Sequence, residues 1–197
     1  MTDPVDTTLA TYQATAQRYV DAGEPPGPAL TALLDALAAR VPGGSVLEVG
    51  SGPGWDAAHL EARDVLVTRT DATAAFVDRL RAQGHDARLL DVRHDDLGGP
   101  YDAVLAQAVL LHLDRDQLLT FLVRARQVAR VLALTLEEGD GGAWSTDKLD
   151  APRWFTYWRE PALRQALTRS GWSVESLDHV QGRHEPWLHV LAVHGGS

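Results

Sequence analysis

The chain has 197 residues, 45% of them hydrophobic, and a formal charge of −9 from 27 acidic and 18 basic side chains. That size suits one compact unit able to bury roughly 70% of its unfolded surface. The acidic balance works against loose binding to phosphate backbones or anionic lipid, and the absence of cysteine excludes disulfides, thiolate metal sites, iron–sulfur clusters and a cysteine nucleophile.

The opening stretch MTDPVDTTLATYQ has no basic residue before Arg18 and no apolar run, unlike a secretory or transit peptide. The longest apolar runs fall far below the ~18 residues of a membrane span. The expectation is a cytoplasmic protein with no membrane or nucleic-acid partner, its scattered arginines, including Arg124, Arg126 and Arg130, forming an ordinary exposed face. Oligomeric state is not legible.

Residues 9–20 follow a helical pattern that places Tyr12 and Tyr19 on one face. Residues 28–39 set Leu30, Leu33, Leu34 and Leu37 on one helical face, and Val41-Pro-Gly-Gly44 ends that helix. Strand and helix patterns then alternate. SVLEVG is a strand running into glycines, 55–63 a helix, 64–70 a strand ending at Asp71, 73–83 a helix, and 87–90 a strand before Asp91. Residues 101–106 form a fourth strand, 113–126 a helix and 128–136 a fifth strand. Residues 137–159 form a long polar and aromatic segment, expected to be a lid or binding loop. A helix at 160–170 and an edge hairpin, 172–180 with 187–194, close the chain. The pattern predicts an α/β fold: a doubly wound, mostly parallel seven-stranded sheet with an antiparallel C-terminal hairpin. The whole chain reads as a single unit: an N-terminal helical cap (1–27), a cofactor-binding core (28–136), an acceptor-side loop (137–159), and a helix with edge hairpin (160–197).

The run VLEVGSGPGW (46–55) puts three glycines at the carboxyl end of the first strand, where backbone can approach a nucleotide-like ligand. A dinucleotide fingerprint needs a third small residue at position 55, which is Trp55, and no Gly-Lys-Ser/Thr follows for a phosphate loop. Glu48-Val-Gly50-Ser-Gly52-Pro-Gly54 instead resembles the first motif, acid-x-Gly-x-Gly-x-Gly, of the class I S-adenosylmethionine-dependent methyltransferases. Asp71, Asp91-Val92 and Gln107 stand at matching intervals. The resemblance covers about residues 29–194 and implies S-adenosylmethionine as cofactor and S-adenosylhomocysteine as product. It implies Glu48, Gly50, Gly52 and Gly54 at the turn, Asp71 on the ribose hydroxyls, Asp91 and Val92 at the adenine edge, and Gln107 beside the methionine moiety. A cofactor without phosphate suits carboxylates where a pyrophosphate would want cations.

Methyl transfer mainly needs an acceptor atom held in line with water excluded, so catalytic groups are harder to assign than cofactor groups. His112, just past the fourth strand, is the first candidate base, with capping or a carbonyl hydrogen bond as its structural alternative. His184 and Glu185 in the hairpin turn are weaker candidates. Similar enzymes close an N-terminal helix over the cofactor, which brings Tyr19, as a catalytic residue, and Tyr12, on the acceptor side, into consideration; a buried helix stripe would show the same spacing. Arg153, Trp154 and Trp158 are the expected acceptor-binding residues, within a segment that also holds Trp144, Lys148, Phe155 and Tyr157. Arg153 and Lys148 could grip an anionic acceptor and the tryptophans could cage an ammonium. The fourth strand ends Ala106-Gln-Ala-Val109 rather than the Asn/Asp-Pro-Pro-Tyr run of enzymes that methylate planar nitrogens. No histidine spacing suggests a metal. The expectation is metal-independent methylation of a small molecule, oxygen favoured slightly over nitrogen. The alternatives are a non-catalytic S-adenosylmethionine-binding protein and an enzyme using another nucleoside cofactor.

Overall fold

The computed structural model describes residues 3–183 and 185–195. Asp3 caps the first helix, α1 (Pro4–Asp21), by accepting from the Val5 N–H at 2.9 Å. The helix bends at Thr15, whose hydroxyl donates back to the Thr11 carbonyl at 2.7 Å. Helix α2 (Pro28–Arg40) buries Leu33, Leu34, Leu37 and Ala38.

Strand β1 (Ser45–Val49), helix α3 (Trp55–Glu61), strand β2 (Leu66–Asp71), helix α4 (Ala74–Ala82) and strand β3 (Ala87–Leu89) follow in alternation. Strand β4 (Ala103–Ala106) leads through a tight turn (Leu110–His112) into α5 (Arg115–Val128). A capping box between Asp114 and Gln117 starts α5. Strand β5 (Val131–Glu137) comes next, then β6 (Gly142–Ser145), β7 (Arg153–Thr156), α6 (Glu160–Arg169), β8 (Ser173–Gln181) and β9 (Pro186–Val193).

Seven strands form one sheet in the order β3-β2-β1-β4-β5-β9-β8, parallel from β3 to β5 and antiparallel where β9 joins β5 and β8 joins β9. This is the doubly wound, mostly parallel sheet that the alternation predicts. Its central strands are apolar on both faces because helices cover both. Leu47, Val49, Val104, Ala106, Leu132 and Leu134 pack with α5 residues such as Leu118, Phe121 and Leu122. Their neighbours Val46, Ala103, Leu105, Val131 and Ala133 pack with Leu33, Leu34 and Leu37 of α2. Chain order reverses between β1 and β4, so the crevice beyond their carboxyl ends is where this architecture places a ligand.

The segment 137–159 departs from the predicted loop. It contains a second, two-stranded antiparallel sheet, β6 with β7, in which Trp144 lies opposite Trp154 with ring centroids 5.5 Å apart. That aromatic cross-strand pair stabilises a hairpin too short for alternation to reveal. Thr8 and Thr11 of α1 bind the hairpin: the Trp154 N–H donates to the Thr8 hydroxyl at 2.9 Å, and the Thr11 hydroxyl donates to the Pro152 carbonyl at 2.7 Å.

Candidate active site

A cleft of about 1440 Å³ opens at the carboxyl ends of β1, β2, β4 and β5 and is walled on its far side by α1 and the β6–β7 hairpin. Its floor is the glycine turn. Gly50 has φ +70°, and a Cβ there would stand 2.1 Å from Val109. Gly52 has φ +48°, and the nearest atom to its Cβ position is 4.0 Å away on Tyr19, so this backbone faces open space that a side chain would fill. Gly54 does not line the cleft; a Cβ on it would strike Leu80 at 2.7 Å, so it serves the packing of α3 beside α4. Trp55 turns toward the cleft and Gly23, where it does not obstruct the sheet.

Asp71, at the end of β2, is buried and accepts from the backbone N–H of Gly52 at 2.9 Å and of Thr73 at 2.7 Å. Burial raises its carboxyl pKa, and these two donors pull the other way. Each carboxylate oxygen retains a lone pair for the cleft, a geometry suited to vicinal hydroxyls. Asp91 also lines the cleft, yet Arg93 holds it at 2.7 Å. The same guanidinium binds Asp3 at 2.9 Å and Asp6 at 2.8 Å, tying α1 to the β3 loop. Burial opposes ionisation of Asp91, but the Arg93 hydrogen bonds hold its pKa below the ordinary value. Val92 and Gln107 line the cleft beside these groups. Next to Gln107, Ala108 takes a left-handed φ of 51° and donates its N–H to the Thr135 hydroxyl at 2.9 Å, which fixes the turn after β4.

Glu48 is placed differently from the expectation. It does not line the cleft; its carboxyl is buried beneath the turn, where burial, followed by the charge of Asp56, pushes it up to about 8. Contacts to Ser51 and the Ala57 backbone act against that rise, so Glu48 braces the glycine turn from below. Trp154 and Trp158 are also absent from the lining. Trp158 is a core residue with the Arg115 guanidinium 4.2 Å over its ring, and the Trp154 indole bonds Thr156 and packs on Trp144. The aromatic surface facing the cleft comes from Tyr12, Tyr19, Trp55, Phe76, Trp144, Phe155, Tyr157 and Trp187 instead.

His112 and Tyr12 meet where the turn after β4 faces α1. The imidazole Nδ1 lies 2.6 Å from the Trp154 carbonyl and must carry its proton, so Nε2 accepts from the Tyr12 hydroxyl at 2.9 Å. Burial lowers the His112 pKa to about 4, and the neutral ring has its lone pair already engaged. Arg153 donates to the Tyr12 hydroxyl at 3.3 Å and to the Asp147 carbonyl at 2.7 Å, while its buried Nε has no partner. Tyr19 packs edge-on to Tyr12 with centroids 5.5 Å apart, and the Lys148 ammonium sits 3.9 Å over its ring. Burial raises both tyrosine pKa values, which leaves them as hydroxyl donors rather than phenolate bases.

Glu185 lines the cleft, and His184 lies outside the described residues. Glu137 and Phe76 line it without having been singled out in the sequence. The signal for Glu137 is a lone acid closing the apolar strand VLALTLE, where the sheet's ligand-facing edge begins. Phe76 lies within a helical pattern that reads as core. Among the described residues no cluster of three or more His, Asp or Glu could hold a metal ion, and no helix is long and apolar enough to cross a membrane.

The fold and a carboxylate-lined glycine turn at the carboxyl ends of its strands define an α/β domain with a ligand cleft at the switch point of its sheet. Residues 47–133 match the family model described as a methyltransferase domain. The chain is similar to DhpI, solved with SAH, at 26% identity over 99% of this chain and 98% of that one, with a TM-score of 0.77. Its fold is shared with Burkholderia thailandensis 1,6-didemethyltoxoflavin-N1-methyltransferase, at 20% identity, coverages of 98% and 89%, and a TM-score of 0.76. It is shared too with magnesium protoporphyrin IX methyltransferase of Synechocystis PCC 6803, at 18% identity, coverages of 99% and 98%, and a TM-score of 0.75. No curated protein matches the sequence. The matched segment and the shared fold give the chain a methyltransferase domain with the architecture of these S-adenosylmethionine-dependent enzymes.

Proposed function

We propose that this enzyme methylates a small molecule on oxygen, the acceptor bearing an anionic group that Arg153 holds. One observation carries this: Arg153 is buried, lines the cleft, and has a guanidinium Nε with no hydrogen-bond partner. The solved relatives named above are consistent with a small molecule, since their names or bound ligands include a toxoflavin precursor and a porphyrin.

The proposed cofactor is S-adenosylmethionine, which when bound would supply an electrophilic methyl group on cationic sulfur for an acceptor oxygen lone pair, the C–S pair staying on sulfur. In this proposal Gly50 and Gly52 let the backbone approach the cofactor, Asp71 takes the ribose hydroxyls, Asp91 and Val92 take the adenine edge, and Gln107 lies beside the methionine moiety. Glu48 and Gly54 act through the shape of the turn. An ionised oxygen has no proton to lose, so His112 need not act as a free base. Its neutral ring orients Tyr12, and Tyr12 with Arg153 aims the acceptor, while Tyr19 and α1 keep water out. The division of labour among a cap (1–27), cofactor core (28–136), acceptor-side segment (137–159) and closing helix with hairpin (160–197) belongs to the same proposal.

The test is a screen of carboxylic acids, phenols, amines and neutral alcohols with methyl-labelled cofactor, followed by location of the label. Label on oxygen of an acid, with at least about tenfold loss of kcat/KM in Arg153→Lys, is expected because Lys cannot reproduce the guanidinium fork. Label on nitrogen, or turnover indifferent to Arg153→Lys, would overturn the proposal.

A further inference from the structure

Glu137 is the last residue of β5, and its buried side chain lines the cleft. Glu185, in the turn before β9, lines the same region, and its charge adds to burial in raising the Glu137 carboxyl to about 7. Arg153 is close enough for its charge to oppose that rise. Yet among the described residues no ion pair joins Arg153 to any carboxylate, and no hydrogen bond reaches the Glu137 side chain.

Two opposite charges facing one low-dielectric space gain most by closing on each other. Here they are kept apart: the Tyr12 hydroxyl and the Asp147 carbonyl hold the Arg153 guanidinium, and the β5–β9 ladder holds the Glu137 backbone opposite Trp187. Buried charges left unpaired are costly, and a ligand that satisfies both recovers that cost. The bare Nε of Arg153 and the unbonded carboxylate of Glu137 are the two ends of such a receptor.

We infer that the acceptor is amphoteric, of the amino-acid class: its acid group lies on Arg153 and its protonated amine on Glu137, flanked by Glu185. This rests on the methyl-transfer function proposed above and names the substrate class for it. It also accounts for the choice of atom. An amine held as ammonium has no lone pair to attack a methyl group, so Glu137 protects the nitrogen while the oxygen at Arg153 remains nucleophilic.

The test uses enzyme saturated with S-adenosylhomocysteine and titrated by calorimetry with three probes of one skeleton: free L-tryptophan, indole-3-propionate and tryptamine. L-Tryptophan is expected to bind about tenfold more tightly than either single-charge probe. Glu137→Gln should erase its advantage over indole-3-propionate, and Arg153→Lys should shrink its advantage over tryptamine. Affinity for S-adenosylhomocysteine should stay within about twofold in both variants. Three equal affinities in the unmodified enzyme, or no binding of L-tryptophan at millimolar concentration, overturns the inference. So does Glu137→Gln weakening S-adenosylhomocysteine instead, which would assign this carboxylate to the cofactor. Failure of the unmodified enzyme to bind S-adenosylhomocysteine at all would strike the cofactor site and is read separately.

Discussion

Asp71 is the side chain on which cofactor affinity should turn most sharply. Its two oxygens are aimed by the N–H groups of Gly52 and Thr73, so Asp71→Ala removes the proposed ribose contacts and leaves two buried donors unsatisfied. S-adenosylmethionine affinity measured by calorimetry should fall by tenfold or more, and the melting temperature should fall with it, since each orphaned buried group costs about 1–3 kcal/mol. His112→Ala should behave in the opposite way, lowering turnover several-fold while cofactor affinity holds, because the ring holds the Tyr12 hydroxyl, which the proposed function sets beside the acceptor. With its pKa near 4, His112 stays neutral from pH 5 to 8, so the pH–rate profile should carry no step from this residue in that range. That Asp71, Asp91 and Gln107 line the cleft was legible in the sequence because each ends or closely follows a strand, and the strand order fixes where strand ends meet. Glu48 was legible as part of a motif but not in its position under the turn, which depends on the side chain's direction from β1. Glu137 was hidden because a two-sided apolar strand gives no period from which to read which way its last residue points.

The joint between α1 and the β6–β7 hairpin deserves its own measurement at the level of elements. Thr11→Val keeps the shape and removes the hydrogen bond to the Pro152 carbonyl. The expected loss is about 1 kcal/mol, or about 2–4 °C in melting temperature for a chain of this size. Amide exchange across residues 142–156 should quicken more than exchange in the central strands, and an unchanged hairpin would show that Thr8 and Arg18 hold it alone. The alternation from α2 to β5 was readable because turn residues separate each apolar run from an amphipathic helix, even where β3 and β4 have only three and four residues. The hairpin was not, since four-residue strands with a glycine at one end and a Trp–Trp pair across them acquire their meaning only from the partner strand.

For the whole molecule, stability should fall as pH rises through neutrality, against the usual expectation for a protein whose acids are mostly paired. Glu48 has a folded pKa of about 8 against an ordinary 4.5, so its contribution is fully present below about pH 4.5 and is lost as pH climbs toward 8. Asp56, raised by burial to about 6, and Glu137, raised to about 7, act in the same direction over narrower windows. His112, lowered to about 4 by burial, and His189, also lowered, oppose this up to the ordinary histidine value of 6.5, so thermal melts should slope downward most clearly between about pH 6.5 and 8, and Glu48→Gln should flatten that slope; an identical slope in the variant would remove Glu48 from this account. The cleft also draws its two ends from different parts of the chain. On the proposed reading the donor end comes from one continuous span within residues 47–133, whereas most of the acceptor end, from 4–21 and 142–156 together with Glu137 and Glu185, lies outside it, His112 being the exception. Substrate preference can thus diverge among descendants of one ancestor while the donor site stays unaltered. A chimera that imports a foreign 142–156 hairpin will also need the matching first helix, because Thr8, Thr11 and Arg18 make the two segments a single heritable part.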